Sequence, residues 1–306
     1  MENNRFFEEM KITVTGGTGF VGANLQGYLK ATYDLESISV RYELNQQFEI
    51  NGNAIIHLAG KAHDLKKVPQ PQDYYDANFE LTKQLFDAFL ISELSVFIFM
   101  STVKAVADTV EGILTEDSVP MPKTHYGIAK QKAEEYILNK ELPKGKRVYI
   151  LRPCMIHGPA NKGNLNLLYQ LVVKGLPWPL GAFENQRSFL SIENLCFVIK
   201  ELLENVSIPS GIYQVADSKP VSTNELIELM GASLDKKSRI WSISVLWIRG
   251  VAKLGDVLHL PLNSERLQKL TENYVVSNEK ILKAIGKSLP VSAEEGLMKT
   301  FESFRK

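Results

Sequence analysis

Short apolar runs alternate with helix-period segments through the first half of the chain. Ile12 and Val14 mark a buried strand, and Val21, Leu25 and Leu29 then repeat at helical spacing from about Phe20. Residues 37–41 (SISVR) form a β-branched run and 48–50 a weaker one. Residues 53–58 (NAIIHL) are apolar as a strand covered on both faces would be. From 74 to 93 the period is helical, with Ala77, Leu81, Leu85, Phe86 and Phe89 on one side. Residues 96–101 (VFIFMS) predict another buried strand, 125–139 another helix, and 148–151 (VYIL) a strand ahead of Arg152-Pro153.

Strands alternating with helices through short connections predict an α/β fold with a Rossmann-type, doubly wound parallel sheet. Ligands of such sheets lie beyond the C-terminal ends of the strands. From about Pro159 the texture loosens, with Gly158-Pro159, Gly175, the run LPWPLG at 176–181, and no internal repeat. Residues 211–216 (GIYQVA) predict one more strand. Residues 222–230 predict a helix capped by Ser222 or Thr223 ahead of Glu225.

Composition narrows the class. The 306 residues carry 35 basic and 35 acidic side chains, so no global charge points to nucleic acid or a membrane surface. Cys154 and Cys196 sit in apolar surroundings and read as small core residues of a reducing compartment. The first ten residues show no signal-peptide pattern and no segment suggests a membrane span, so the expected location is cytoplasmic.

The candidate chemistry begins at KITVTGGTGFVG, 11–22. Gly16 permits a tight turn, Gly19 lets backbone N–H groups approach a pyrophosphate, and Gly22 lets the new helix lie close on its strand. The helix N-terminus, at Phe20 and Val21, favours an anion. Tyr126 and Lys130 are four apart on a predicted helix and share a face. A neighbouring ammonium favours the phenolate of a tyrosine, which makes proton exchange with an alcohol feasible. Ser101-Thr102 ends a predicted strand, where a hydroxyl can bond the same substrate oxygen.

These residues make the chain similar to the extended short-chain dehydrogenases/reductases of the nucleotide-sugar epimerase/dehydratase family. The resemblance spans nearly the whole length. The spacing Gly16-x-x-Gly19-x-x-Gly22 resembles that superfamily's glycine motif, and His57-Leu58-Ala59-Gly60 its third strand end. Asn78 with Thr82 resembles its Asn-x-x-x-Thr helix. Thr115-Glu116-Asp117 with Pro120 and Pro122 resembles the loop before its tyrosine. Arg152-Pro153 with His157-Gly158-Pro159 matches a family segment in which histidine here replaces tyrosine, and Arg187-Ser188-Phe189 matches its diphosphate-contacting arginine segment. The LPWPLG stretch, RSFLSIENL and residues 290–297 look closest to UDP-glucose 4-epimerase-like proteins and 4-keto-sugar reductases of surface-polysaccharide synthesis.

The resemblance implies catalysis by Thr102, Tyr126 and Lys130, and no metal. It implies a nicotinamide dinucleotide held by Gly16, Gly19, Phe20, Val21, Gly22, Arg41, Leu58, Ala59, Gly60, Asn78, Ser101, Lys130 and Pro153. It implies a UDP-sugar met by Lys61, His63, Lys104, Asn164 and Arg187, with a homodimer as a candidate assembly. His57 reads as a core or turn histidine. The expected organisation is a dinucleotide-binding domain over 1–160, completed by parts of 187–216, and an interleaved substrate-binding lobe over 161–306.

Departures from the family refine the expectation. The family's 4,6-dehydratases place Asp-Glu just after the threonine, where this chain has Val103 and Lys104, which disfavours dehydration. The usual ribose-binding acid, about 20 residues beyond the glycines, is replaced by Arg41, which suits a 2′-phosphate. NADP(H) is therefore favoured over NAD(H), although Glu43 can still reach a ribose. The expected activity is reduction at C4 of a UDP-4-keto-6-deoxy sugar. The alternatives are a UDP-hexose 4-epimerase and, more remotely, a non-catalytic dinucleotide-binding sensor or scaffold. The apolar run at 244–260, with Arg249 and Lys253, is expected to pack the substrate lobe or a second subunit rather than lie on a membrane.

Overall fold

The computed structural model describes residues 10–61, 70–161, 163–258 and 263–305. The chain opens with β1 (Lys11–Thr15), α1 (Phe20–Leu29), β2 (Asp34–Ile38) and β3 (Ala54–His57). Then come α2 (Pro71–Tyr75), a π-helical turn (Asp76–Glu80), α3 (Leu81–Ile91), β4 (Val96–Met100) and the short β5 (Ile113–Leu114). Helix α4 (His125–Leu138), β6 (Arg147–Pro153), β7 (Met155–His157) and α5 (Asn164–Val173) follow. The chain continues through β8 (Phe189–Ser191), α6 (Ile192–Glu204), β9 (Gly211–Val215), α7 (Thr223–Ala232), α8 (Val245–Leu258) and α9 (Ser264–Thr271). It closes with β10 (Val275–Val276), α10 (Glu279–Ile285) and α11 (Ala293–Ser303).

Six strands form one parallel sheet in the order β2-β1-β3-β4-β6-β9. Strand β1 pairs on one side with β2 and on the other with β3, from Ile12↔Ala54 to Thr15↔His57. The winding therefore reverses at β1, and a crevice opens beyond its C-terminal end, the usual ligand position of such sheets. Alternation along the strands sorts the core. Val96 and Ile98 pack with α1 and α6 on one face, while Phe97 and Phe99 pack with Phe86, Phe89 and Ile137 on the other. A further apolar cluster joins α5, α7, α8, α9 and α11 around Tyr169, Trp178, Met230 and Phe301.

Two strand expectations need correction. The second strand is Asp34–Ile38, so Arg41 lies three residues past its end rather than on it. Strand β2 is an edge, and its solvated Asp34 and Glu36 carry no apolar signal, which is normal for protected edges. Residues 48–50 form no strand. Both neighbours of β1 are already taken, and Ile50 instead packs in the cluster under α3. No described helix is long and apolar enough to cross a membrane.

Candidate active site

The turn after β1 is built for close approach. Gly16 has φ +72°, and a Cβ there would lie 2.7 Å from the Ala59 nitrogen, so glycine lets this turn pass against the Leu58-Ala59 backbone. At Gly22 a Cβ would meet the Gly16 oxygen at 2.4 Å. Helix α1 begins at Phe20 behind Gly19 with no side chain capping it. Its first-turn N–H groups, including those of Phe20, Val21 and Gly22, have no intrahelical acceptors. A Cβ added at Gly19 would meet only the Gly16 oxygen, at 3.3 Å, so this cradle is clear of side chains. It fits a dinucleotide pyrophosphate, as a helix N-terminus of this kind does.

Beyond β3, a hydrogen-bond chain ties the turn to the helical layer. Ala59 N donates to Thr15 Oγ1 at 3.1 Å, and Thr15 Oγ1 lies 2.8 Å from His57 Nδ1. His57 Nε2 lies 2.9 Å from Thr82 Oγ1, which donates to the Asn78 carbonyl at 3.0 Å. Thr82 has one hydroxyl proton and gives it to that carbonyl, so His57 must donate from Nε2 and accept at Nδ1. Full burial, with the charge of Lys130 adding to it, lowers its pKa to about 3. His57 is thus a neutral core connector.

The π-helical turn swings Asn78 inward, where it is fully buried. Its amide accepts from Lys61 N at 3.1 Å and donates to the carbonyls of Lys61 and Tyr74. A Cβ on Gly60 would sit 2.6 Å from Asn78 Oδ1 and 3.3 Å from Lys130 Nζ, so Gly60, Asn78 and Lys130 converge. Lys130 Nζ donates to the Met100 carbonyl at 2.8 Å and stands 4.6 Å from the centroid of the Phe99 ring. Burial lowers its pKa to about 7, against the opposing pull of Glu134.

Tyr126 sits one turn before Lys130 on α4. Burial pushes its pKa up to about 12, opposed by a hydrogen bond with Thr102. A Cβ on Gly127 would meet the Lys104 carbonyl at 2.4 Å, so glycine brings the start of α4 against the turn that carries Thr102. Thr102 itself caps that turn, accepting from Lys104 N at 3.2 Å. Ser101, next to it, directs its hydroxyl to Glu134, which also takes Arg152 Nη2 at 2.6 Å in a buried ion pair. The Ser101 side chain is thereby committed to this brace. Pro153 ends β6 opposite Val215.

The remaining candidates divide. Lys61 Nζ pairs with Asp73 at 2.8 Å. Lys104 donates to the Asp108 carbonyl at 2.8 Å and lies 4.4 Å from the Tyr274 ring centroid. Arg187 donates to the Lys269 carbonyl at 2.5 Å and faces Glu272, with its backbone bridged to Tyr274. Tyr274 therefore joins Lys104 to Arg187. Arg41 is exposed beyond β2, whose end carries Ser37 and Ile38 and no carboxylate. His63 and the Asn164 side chain lie outside the described residues.

Glu134 and Tyr274 escape a motif search. Glu134 lies four residues after Lys130, so helical spacing through Tyr126, Lys130 and Glu134 was available as a signal. Tyr274 carries none, because only the fold brings it to Arg187.

Residues 12–216 match the model of the NAD dependent epimerase/dehydratase family. The chain belongs to that family. The chain is 29% identical over 320 aligned positions to a UDP-glucose 4-epimerase of Vibrio cholerae, covering 96% of this chain and 95% of that protein. It is 26% identical over 240 positions to a GDP-6-deoxy-D-mannose reductase of Pseudomonas aeruginosa, covering 72% and 79%. The structure of RMD from Pseudomonas aeruginosa complexed with NADPH superposes with a TM-score of 0.74 at 22% identity, covering 97% of both chains. The family comprises nicotinamide-dependent epimerases, reductases and dehydratases of sugar nucleotides, built on the Rossmann-type sheet described above.

Proposed function

We propose that this protein is an NADP(H)-dependent reductase acting at C4 of a UDP-linked 4-keto-6-deoxy sugar destined for surface polysaccharide. The convergence of Thr102, Tyr126 and Lys130 beyond β4 carries the reading. Gly16–Gly22, Leu58–Gly60 and Asn78 would hold a nicotinamide dinucleotide, which would supply the hydride chemistry. Tyr126, held protonated by burial, gives its proton to the oxygen at C4, and Thr102 hydrogen-bonds the same oxygen. Lys130, anchored on the Met100 carbonyl, stands one helical turn from Tyr126 and lends positive charge when protonated. Val103 and Lys104 stand where a dehydratase needs carboxyl groups, and Lys104 is tied to the Asp108 carbonyl, so dehydration is left without its acid and base.

Arg41, with no carboxylate at the end of β2, favours the phosphorylated cofactor and hence a reductase with exchangeable NADPH. The nearly full-length similarity to a UDP-glucose 4-epimerase favours the second reading, a UDP-hexose 4-epimerase with retained NAD. Lys104 and Arg187, gathered around Tyr274, are the proposed sugar-nucleotide contacts. The test offers the purified protein a UDP-4-keto-6-deoxy hexose with NADPH, and separately UDP-glucose and UDP-N-acetylglucosamine. Stoichiometric oxidation of NADPH supports the first reading. Interconversion at C4 without added cofactor replaces it with the second.

A further inference from the structure

Helix α8 reverses the usual order of a surface helix. Ile248, Ala252 and Gly255 are buried and Val245 half-buried. Around the rest of the helix, at 3.6 residues per turn, run Leu246, Trp247, Val251, Leu254, Val257 and Leu258, all exposed, with Leu246 at 79% and Trp247 at 76%. Trp241, just upstream, is 55% exposed. A solvated helix places charge in that sector.

The charges lie elsewhere, and most of them are positive. Between 235 and 258 the chain has Lys236, Lys237, Arg239, Arg249 and Lys253 against Asp235 and Asp256. Asp235 pairs with Arg305 at 2.7 Å, whereas Asp256 accepts from the Ser264 amide at 2.9 Å and keeps its negative charge, so the cations still outnumber the acids. Among the described residues Arg249 and Lys253 make no ion pair. They share one flank of the helix and line a cavity of about 270 Å³ with Phe183, Ser264, Gln268 and Thr271. The whole chain is neutral, so this cationic rim is a local feature.

We propose that α8 is an interfacial anchor that lays its exposed apolar face into an anionic lipid bilayer, with Arg249 and Lys253 at the headgroup phosphates. An apolar arc bordered on one flank by cations and carrying an exposed tryptophan is the chemistry of a helix lying in the membrane plane. Its 14 residues span about 21 Å, too short to cross a hydrocarbon core of about 30 Å. A second copy of the chain fits less well. A two-fold contact through this face would bring together segments in which cations outnumber carboxylates, whereas an anionic leaflet complements that excess. The inference is independent of the reaction proposed above.

Flotation of the whole protein with phosphatidylglycerol vesicles and with phosphatidylcholine vesicles tests it, with tryptophan emission as a second readout. The expected result is salt-sensitive flotation with the anionic vesicles and a blue shift of the emission. Trp247→Ser with Leu254→Ser should abolish both. Arg249→Ala with Lys253→Ala should weaken binding about fivefold per cation removed. These side chains are exposed, so circular dichroism and the melting midpoint should not change. Failure of the wild-type protein to float overturns the proposal. So does a concentration-dependent dimer that the Trp247→Ser, Leu254→Ser variant converts to monomer.

Discussion

At the scale of single residues, the site rests on how burial treats two groups. Tyr126 is raised to about 12 and Lys130 lowered to about 7, so both are pushed toward their neutral forms. A neutral phenol beside a substrate oxygen is an acid ready to donate. Tyr126→Phe should therefore cut turnover by at least about a hundredfold while dinucleotide binding, titrated by fluorescence, stays nearly intact. Retention of more than about a hundredth of the rate would remove the acid–base role. Lys130→Met should lower both turnover and dinucleotide binding. Lys130 also couples stability to pH. Its folded pKa lies below the ordinary lysine value of 10.5, so between about 7 and 10.5 the unfolded chain holds a proton that the folded chain does not. Stability from this residue rises with pH across that window and is lost as pH falls toward 7. The melting temperature of the wild type should gain on that of Lys130→Met from pH 7 to 10. Parallel curves would show that Lys130 is not desolvated as described.

At the scale of elements, the site depends on two helix starts that glycine lets come close. Gly127→Ala gains helix propensity worth about 1 kcal/mol, yet the new methyl would lie 2.4 Å from a backbone carbonyl. The clash should win, because α4 or the Thr102 turn must move. Turnover should fall by up to about a hundredfold, as misplacement by an ångström can cause, while dinucleotide affinity changes little. An unchanged kcat would mean the turn and helix adjust without separating Thr102 from Tyr126. Much of this layer was legible in the sequence. Strands β1, β3, β4, β6 and β9 are apolar runs, and α4 carries Tyr126 and Lys130 at helical spacing. What stayed hidden lacks a periodic signal. The edge strand β2 is mostly solvated, and the π-helical turn that buries Asn78 interrupts what reads as one helix from 74 to 93. The exposed face of α8 was hidden for the opposite reason, because its apolar pattern is that of a buried helix.

At the scale of the molecule, the fold collects side chains that lie far apart in sequence. Lys104 follows β4, Arg187 precedes β8, and Tyr274 between them precedes β10. Arg187→Ala should raise KM for the sugar nucleotide far more than for the dinucleotide, and equal effects on both would take Arg187 out of the substrate site. The cofactor is decided at the other end of the crevice. The winding reversal at β1 sets the glycine turn beside the end of β2, and there Gly17 is closed over by the Ser37 hydroxyl, 2.1 Å from where a Cβ would be. Residues 39–41, beyond that contact, carry the positive charge of Arg41 and no carboxylate, and would be the ones to meet the adenosine ribose of a bound dinucleotide. Charge-assisted hydrogen bonds to a 2′-phosphate need such a cation. A bare ribose needs an acceptor, a part that Glu43, two residues beyond Arg41, would have to fill. NADPH should bind more tightly than NADH, and Arg41→Asp should reverse the order. Titrating both reduced dinucleotides by fluorescence, after dialysis, measures the preference and shows whether the cofactor exchanges. If NADH binds tenfold tighter, about 1.4 kcal/mol, and NAD remains through dialysis, the reductase reading gives way to the 4-epimerase.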